Sequence, residues 1–399
     1  MSSKEIFKII HTSDWHLGKK LFKAIREEEH QAFLDWLYQY IQQNDINLLI
    51  IAGDIFDVPG PPYSAQKMLY NLVHKMGKIK NFQTVIITGN HDSPALFEVP
   101  KAFFEEHNCH VYTRLEKDLT RLEHIISFQD QKIALKLLPY FRNYELLNQL
   151  EQRGLKNDPS GLKVFFNDFF SSWTQESLDH KILVAHHSFG DFMATGSEHA
   201  IHLSGLSHFP LEWVLPHFDY VALGHIHKKQ KLTSKKPVLY SGSPLPLRFN
   251  ESNNKNIIEI DLTKKSLTYK EVNIPLIKSL IQIKTNTDFF IEDIKSFLAT
   301  IDDNHYYYLE VQMEFTQAAS GIADHVRSLI KNHPVELLSF IPTLTQTNEK
   351  KLSYGQINEL NIQELFENYY QYKYDGKEVP SDLKKSFQEL LDEVHRENS

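Results

Sequence analysis

Cysteine is nearly absent: Cys109 is the only one in 399 residues. No internal disulfide can form, and this cysteine usage is expected of a protein in a reducing cytoplasm. Cys109 follows a helical run and is expected to pack in the core rather than act as a nucleophile. Long apolar runs are also missing, since nothing approaches the roughly 20 residues of a membrane span. The opening MSSKEIFKII lacks the apolar stretch of a signal peptide, and FKIIH is expected as a first strand. No GxxxxGK[ST] phosphate loop occurs, which excludes ATP binding by that route. Positive charge is not in excess either. A formal net charge of −8 argues against coating nucleic acid through bulk electrostatics. Local basic clusters remain, at Lys19, Lys20, Lys23 and Arg26 and at Lys228, Lys229, Lys231, Lys235 and Lys236. Such clusters are usually solvated faces, but both adjoin metal-type motifs, which makes Lys19, Lys20, Lys228 and Lys229 candidates for contact with a phosphate backbone.

What is present suits a globular protein of two or three domains with a sizeable core: 41% hydrophobic and 24% charged residues. In the first half, strand-like FKIIH, NLLIIA and QTVIIT alternate with helical patterns around Arg26–Gln43, around Ser64–Met76 and after Pro100. That alternation predicts βαβ units and a mainly parallel sheet. The VPGPP stretch reads as a loop, because proline fixes φ and lacks a donor. A second set of strands follows, with HIISF and KIALKLL as a hairpin, then KILVAHH, DYVALGH, PVLYSGS, KNIIEIDL and SLTYKEVNI. Helices are expected over Asn143–Arg153 and Ser160–Leu178. The fold class is therefore α/β, a two-sheet sandwich flanked by helices over residues 1–274. A small α/β module over 275–342 and a C-terminal helical segment over 343–399 complete the expected organisation. In that tail, helix-like stretches Ile362–Tyr372 and Leu383–Val394 carry apolar Leu365, Phe366, Tyr369, Tyr370, Phe387, Leu390 and Leu391 with little around them to bury the stripe.

Seven metal-binding side chains fall in five short blocks, each after an apolar run. They are Asp14 and His16 in SDWH, Asp54 in GDIFD, Asn90 in GNHD, His186 in VAHH, and His225 and His227 in GHIH. Residues just past the carboxyl ends of neighbouring parallel strands converge on one crevice. Two carboxylates, a carboxamide and four imidazoles at one point would hold two divalent ions. The Asp54 carboxylate is suited to bridge ions roughly 3.5–4 Å apart. Mixed nitrogen and oxygen donors favour Mn, Fe, Zn or Co over Ca or Mg. His91, next to Asn90, is placed to give a proton to a leaving oxygen, with Asp92 expected to orient it and Asp57 expected just behind the ligands. Taken singly, GDIFD, GNHD and GHIH are ordinary strand-to-turn junctions or packed histidines. All five in order at strand ends point to hydrolysis of a phosphate ester. His11 is expected in strand packing or behind the ligands and His187 as a neighbour of His186. His199, His202, His208 and His217 are expected at the surface or in loops.

DxH, GDxxD, GNHD, a strand-end His and GHxH together resemble the calcineurin-like metallophosphoesterases. HTSDWHLGKKL, IAGDIFD, GNHDSP, FDYVALGHIHKKQ and YSGSPLPLRFNE resemble one branch of that family, the bacterial nuclease subunits that work with a coiled-coil ATPase. The resemblance implies two Mn ions. It places Asp14, His16, Asp54 and His227 on one ion, Asp54, Asn90, His186 and His225 on the other, and His91 in catalysis. It implies a 3′→5′ double-strand exonuclease and single-strand or hairpin endonuclease in DNA repair, recombination and replication, with ATP handled by the partner. The small module would be a capping domain that helps place DNA, the tail would dock on the ATPase, and the chain would be a homodimer within a heterotetramer. Two other readings remain open from the residues: a small-substrate phosphodiesterase or phosphatase, and a non-catalytic scaffold for the ATPase.

Overall fold

The computed structural model describes residues 6–193, 208–315 and 321–344, with 366, 367, 370, 374 and 378–387. The chain divides into two compact units, Met1–Thr343 and Leu344–Ser399.

Two six-stranded sheets make the centre of the first unit. In one, strands Phe7–Thr12, Leu48–Ala52, Gln83–Ile87 and Cys109–Tyr112 run parallel, and Asn256–Thr263 and Ser266–Asn273 add on antiparallel beside the first. In the other, Gln131–Leu138, His180–His186, Tyr220–Gly224 and Val238–Tyr240 are parallel, with Glu123–Phe128 and Gln230–Lys231 as antiparallel edges. Successive strand residues point to opposite faces, and here both faces are buried, which is why LLIIA is continuously apolar. Leu48, Ile50 and Ala52 face inward onto Leu135, Leu137, Ile182 and Val184 of the other sheet. Leu49 and Ile51 face outward onto helices Glu27–Gln43 and Tyr63–Met76 through Phe33, Leu37, Leu69 and Val73. Helices Asn143–Gln152 and Pro159–Ser171 cover the second sheet's outer face with Leu146, Leu150, Phe165, Phe166 and Phe169. The result is the expected sandwich, with four layers.

Two helices start and stop differently from the sequence reading. Arg26 is the N-cap of Glu27–Gln43 rather than its first residue. The helix expected over Ser160–Leu178 ends at Ser171. Asp158 caps its start by accepting from Gly161 N at 2.9 Å, and Ser172 turns to extended backbone. Trp173 then lies over the buried Lys136 ammonium, 4.4 Å from ring centre to nitrogen, a contact a continued helix would lose.

A three-stranded sheet, Lys278–Asn286, Tyr306–Phe315 and Val335–Leu344, packs helices Phe290–Leu298 and Ile322–Ile330 on one face. Leu280 and Tyr308 from its other face meet Leu21 and Phe249. Asn253 fastens this module by accepting from Leu280 N at 2.9 Å and donating to Leu280 O at 2.8 Å. In the second unit, residues 381–387 are helical and the Phe366 and Phe387 rings stack with centroids 4.0 Å apart. Leu365, Tyr369, Leu390 and Leu391 of the expected apolar stripe lie outside the described residues, as do His199 and His202.

Candidate metal centre

Parallel strands deliver the five blocks to one end of the sandwich. Asp14, Asp54 and Asn90 follow three consecutive strands of the first sheet, and His186 and His225 follow two adjacent strands of the second. The SDWH turn is laced to the GDIFD turn by backbone bonds from Asp14 N to Gly53 O (2.9 Å) and from His16 N to Asp54 O (3.1 Å). Asp14, His16, Asp54 and His225 all have positive φ, +54°, +47°, +51° and +96°. Such backbone costs about 1–3 kcal/mol per residue and persists where surrounding structure over-determines it. Two glycines allow the crowding. A Cβ on Gly53 would collide with the His186 ring, and one on Gly89 with the Asp54 carboxylate.

Side chains from all five blocks lie within a few ångströms of one another. One oxygen of Asp54, Oδ2, lies 3.7 Å from His16 Nε2 and 3.3 Å from His186 Nε2. His16 Nε2 and His227 Nε2 are 3.1 Å apart. Asn90 Oδ1 lies 3.2 Å from His186 Nε2 and 3.0 Å from His225 Nδ1. Asp14 accepts from His225 N at 2.9 Å. Donor atoms of Asp14, His16, Asp54 and His227 all fall within 4.8 Å of one another.

This arrangement fits cations. His186 Nδ1 donates to Ala52 O at 2.7 Å, so its neutral form turns a lone pair on Nε2 toward two more acceptors, Asp54 Oδ2 and Asn90 Oδ1. Three acceptors facing one point repel unless something positive sits among them. Electrostatics agree. Burial opposes protonation of His186, yet Asp54 outweighs it and lifts the pKa to about 9. Burial lifts the Asp14 carboxyl to about 6, even against His186 and His16. Burial also acts upward on Asp54, but the facing histidines His186 and His16 hold it well below the usual carboxylate range. His227 is pushed well below its ordinary value by burial and then by His16, so it presents a neutral ring.

The residues around the donors behave less as expected. His91 packs edge-on to His16, with ring centroids 4.9 Å apart. Its Nδ1 lies 2.7 Å from the backbone oxygen of Asp57, and its backbone amide donates to Asp54 Oδ1 at 2.9 Å. Asp92 does not orient His91 through its carboxylate. That carboxylate accepts from the amides of Ile55, Phe56 and Gly89 at 3.2, 2.9 and 2.9 Å, locking the GDIFD turn to the GNHD turn. The Asp57 carboxylate stands behind the donors, 3.2 Å from His16 Nδ1. It also receives Lys19 at 2.8 Å. Lys229 is likewise tied internally, to Glu271 and Asn256, whereas Lys228 and Lys20 are exposed. His11 is a buried strand residue between Tyr220 Oη and Leu223 O. His187 is buried against Phe141 and Tyr140 and approaches Pro139 O. Cys109 begins a strand and is buried in the core. Sequence reasoning passed over Glu251, whose Oε1 lies 4.0 Å from His227 Nδ1 while Oε2 accepts from Lys255 at 2.7 Å. Glu251 ends the GSPLPLRFNE segment, and it is the only Asp, Glu, His or Cys in that segment.

A parallel-strand sandwich with clustered carboxylate, carboxamide and imidazole donors at its strand ends defines a metallophosphoesterase. The calcineurin-like phosphoesterase model matches residues 7–229, and the chain belongs to that family. Across most of its length the chain is similar to proteins named as the SbcD component of the SbcCD nuclease. One, from Escherichia coli K12, is 25% identical over 375 residues, covering 90% of this chain and 91% of that protein. Another, from Bacillus subtilis, is 25% identical over 400 residues, covering 98% and 100%. A third, from Rhodobacter capsulatus, is 30% identical over 259 residues, covering 61% and 63%. No helix among the described residues is long and apolar enough to cross a membrane.

Proposed function

We propose that the chain is the Mn-dependent nuclease component of an SbcCD-type complex, degrading duplex ends 3′→5′ and cutting single strands and hairpins. The observation that carries the hydrolytic part is the meeting of seven donors from five strand ends around Asp54 Oδ2 and Asn90 Oδ1. The nuclease part is supported by similarity to SbcD proteins that extends past the phosphoesterase region to the tail. Asp14, His16, Asp54 and His227 are assigned to one ion, and Asp54, Asn90, His186 and His225 to the other. When bound, a pair of divalent cations supplies charge to the phosphoryl oxygens and a hydroxide nucleophile near neutral pH. The chain's own residues do the rest. Asp92 and the Asp54 carboxylate hold the GNHD turn, so the His91 ring is fixed beside the cluster. With Nδ1–H held by Asp57 O, the protonated ring gives its Nε2 proton to the oxygen leaving phosphorus. The hydrophobic layers beneath the donors exclude water from behind them.

The three-stranded module is assigned as the capping domain that helps place DNA. The segment 343–399 is assigned as the partner-binding segment for an SbcC-like coiled-coil ATPase, in a homodimer within a heterotetramer. The purified chain with Mn should cut hairpin and duplex DNA, and Asp54→Asn and His91→Gln should abolish cutting while remaining folded. Turnover confined to a chromogenic phosphodiester would favour a small-substrate enzyme, and binding of fewer than two metals per chain would favour a scaffold.

A further inference from the structure

Next to Asn90 opens a cleft of about 280 Å³ that none of the metal donors except Asn90 lines. Its far wall is the segment following strand Gln131–Leu138, and the register explains why it lies there. Leu138 pairs with Ala185, so Tyr140 and Arg142 emerge beside the strand end that carries His186. Tyr140 N then donates to Thr88 O at 2.9 Å, stitching this segment to the strand end that carries Asn90. The cleft therefore runs directly off the metal centre, between the two sheets.

Its walls combine charge with aromatic rings. Arg142 is exposed, and its guanidinium makes no ion pair among the described residues. The acid nearest it in sequence, Glu145, accepts from the Arg142 backbone amide at 2.7 Å. The second cation, Arg114, is neutralised by Glu98. Asp92, also on the wall, is turned inward onto three amides. Tyr144 is 57% exposed, and Tyr140 stacks on His187 with centroids 5.5 Å apart, which fixes its plane. One uncommitted guanidinium beside two tyrosine rings is the chemistry that grips a single strand: charge on a phosphate, rings against bases. On a chain of net charge −8, Arg142 is a cation without an ion pair among the described residues in a cleft that reaches Asn90.

We propose that the cleft lined by Asn90, Tyr140, Arg142 and Tyr144 is a single-strand subsite, where Arg142 holds the phosphate next to the scissile one and Tyr144 stacks the adjoining base. The inference rests on the nuclease reading and names residues through which that reading would hold DNA.

The test is fluorescence anisotropy of the full-length chain with labelled single-stranded DNA, with calcium replacing manganese to suppress cutting, over a series of salt concentrations. Arg142→Gln should weaken binding and lower the slope of log affinity against log salt by about 0.7, one phosphate contact on a single strand. Tyr144→Ala should weaken binding roughly tenfold with the slope unchanged, and Tyr144→Phe should restore it. Lys264→Ala, in the turn at the opposite end of the sheet, is the control and should match the unsubstituted chain. Both cleft residues are exposed, so thermal melting should be unaltered. If the unsubstituted chain binds DNA and both cleft variants bind with its affinity and slope, the subsite is wrong and the nuclease reading stands. If the unsubstituted chain binds no DNA, the nuclease reading fails first and takes the subsite with it.

Discussion

His16 and His227, 211 residues apart in sequence, face each other with their Nε2 atoms 3.1 Å apart. The Nδ1 atoms face carboxylates, Asp57 at 3.2 Å and Glu251 at 4.0 Å, so neutral rings with their protons on Nδ1 turn two Nε2 lone pairs toward each other with no hydrogen between them. A cation between them, with Asp54 and Asp14 within reach, satisfies both rings. Titration of the metal-stripped chain with Mn, followed by calorimetry, should show two ions per chain. His227→Ala should leave one tight site. At a free metal concentration 100 times Kd the gain in folding stability should be about 2.7 kcal/mol per site, visible as a rise in Tm.

Asp92 offers a different check, because it touches backbone and not the donors. Asp92→Ala removes the acceptor of three amides and leaves them buried, at about 1–3 kcal/mol each where water does not replace it. The GNHD turn should then lose its register with the GDIFD turn. Metal affinity should fall on the order of 10- to 100-fold, the usual cost of losing support behind a ligand. Unchanged affinity by the same calorimetry would show that the turn holds itself.

Gly89→Ala is expected to be worse than its size suggests. The added methyl would occupy the space of the Asp54 carboxylate and backbone nitrogen. Asp54 must move, and with it the oxygen shared by His16 and His186. The expected outcome is loss of Mn binding with a destabilisation of about 1–3 kcal/mol in urea unfolding.

Acid should destabilise the sandwich through His11. Burial holds its pKa at about 3, against a hydrogen bond with Leu223 O that works the other way. Its neutral ring accepts from Tyr220 Oη and donates to Leu223 O. The folded pKa is depressed, so the stabilising contribution is complete above the unfolded value of 6.5 and is lost as pH falls toward 3. Within that window one such group costs up to about 1.4 kcal/mol per pH unit. Urea midpoints measured from pH 7.5 to 4.5 should fall less steeply in His11→Gln than in the unsubstituted chain. His30, also held at about 3 by burial and by Arg26, leaves a residual slope in that variant.

Much of the centre was readable because each donor belongs to a short local motif. A strand of five or six residues followed by Asp-x-His or Gly-Asn-His places its donors by strand direction alone, without knowledge of the partner strand. The sandwich was readable for the same reason, since period and length distinguish its strands from its helices. The residues around the donors were not. The expectation that Asp92 orients His91 failed because Asp92 is drawn instead to amides of a turn 36 and 37 residues earlier in the chain. Lys19 and Lys229 read as free cations in the sequence. Asp57 and Glu271, 38 and 42 residues away, hold them. Just past the end of the helix at Ser171, Trp173 meets Lys136 on another element, a contact no local pattern announces. Arg142 attracted no notice, since its value lies in a neighbouring strand end and in what Arg114 and Glu145 do with their own charges.

Side-chain chemistry and strand periodicity, both properties of the sequence alone, determined that this protein collects imidazoles and carboxylates at the ends of parallel strands. Folding decided everything that depends on distance between separate strands. It set which nitrogen of His186 is spent on Ala52 O, which oxygen of Asp54 is shared, and which basic residues stay unpaired. Hydrogen bonds and ion pairs act over about 3–4 Å. Only packing of the two sheets fixes distances that short between residues so far apart in the chain.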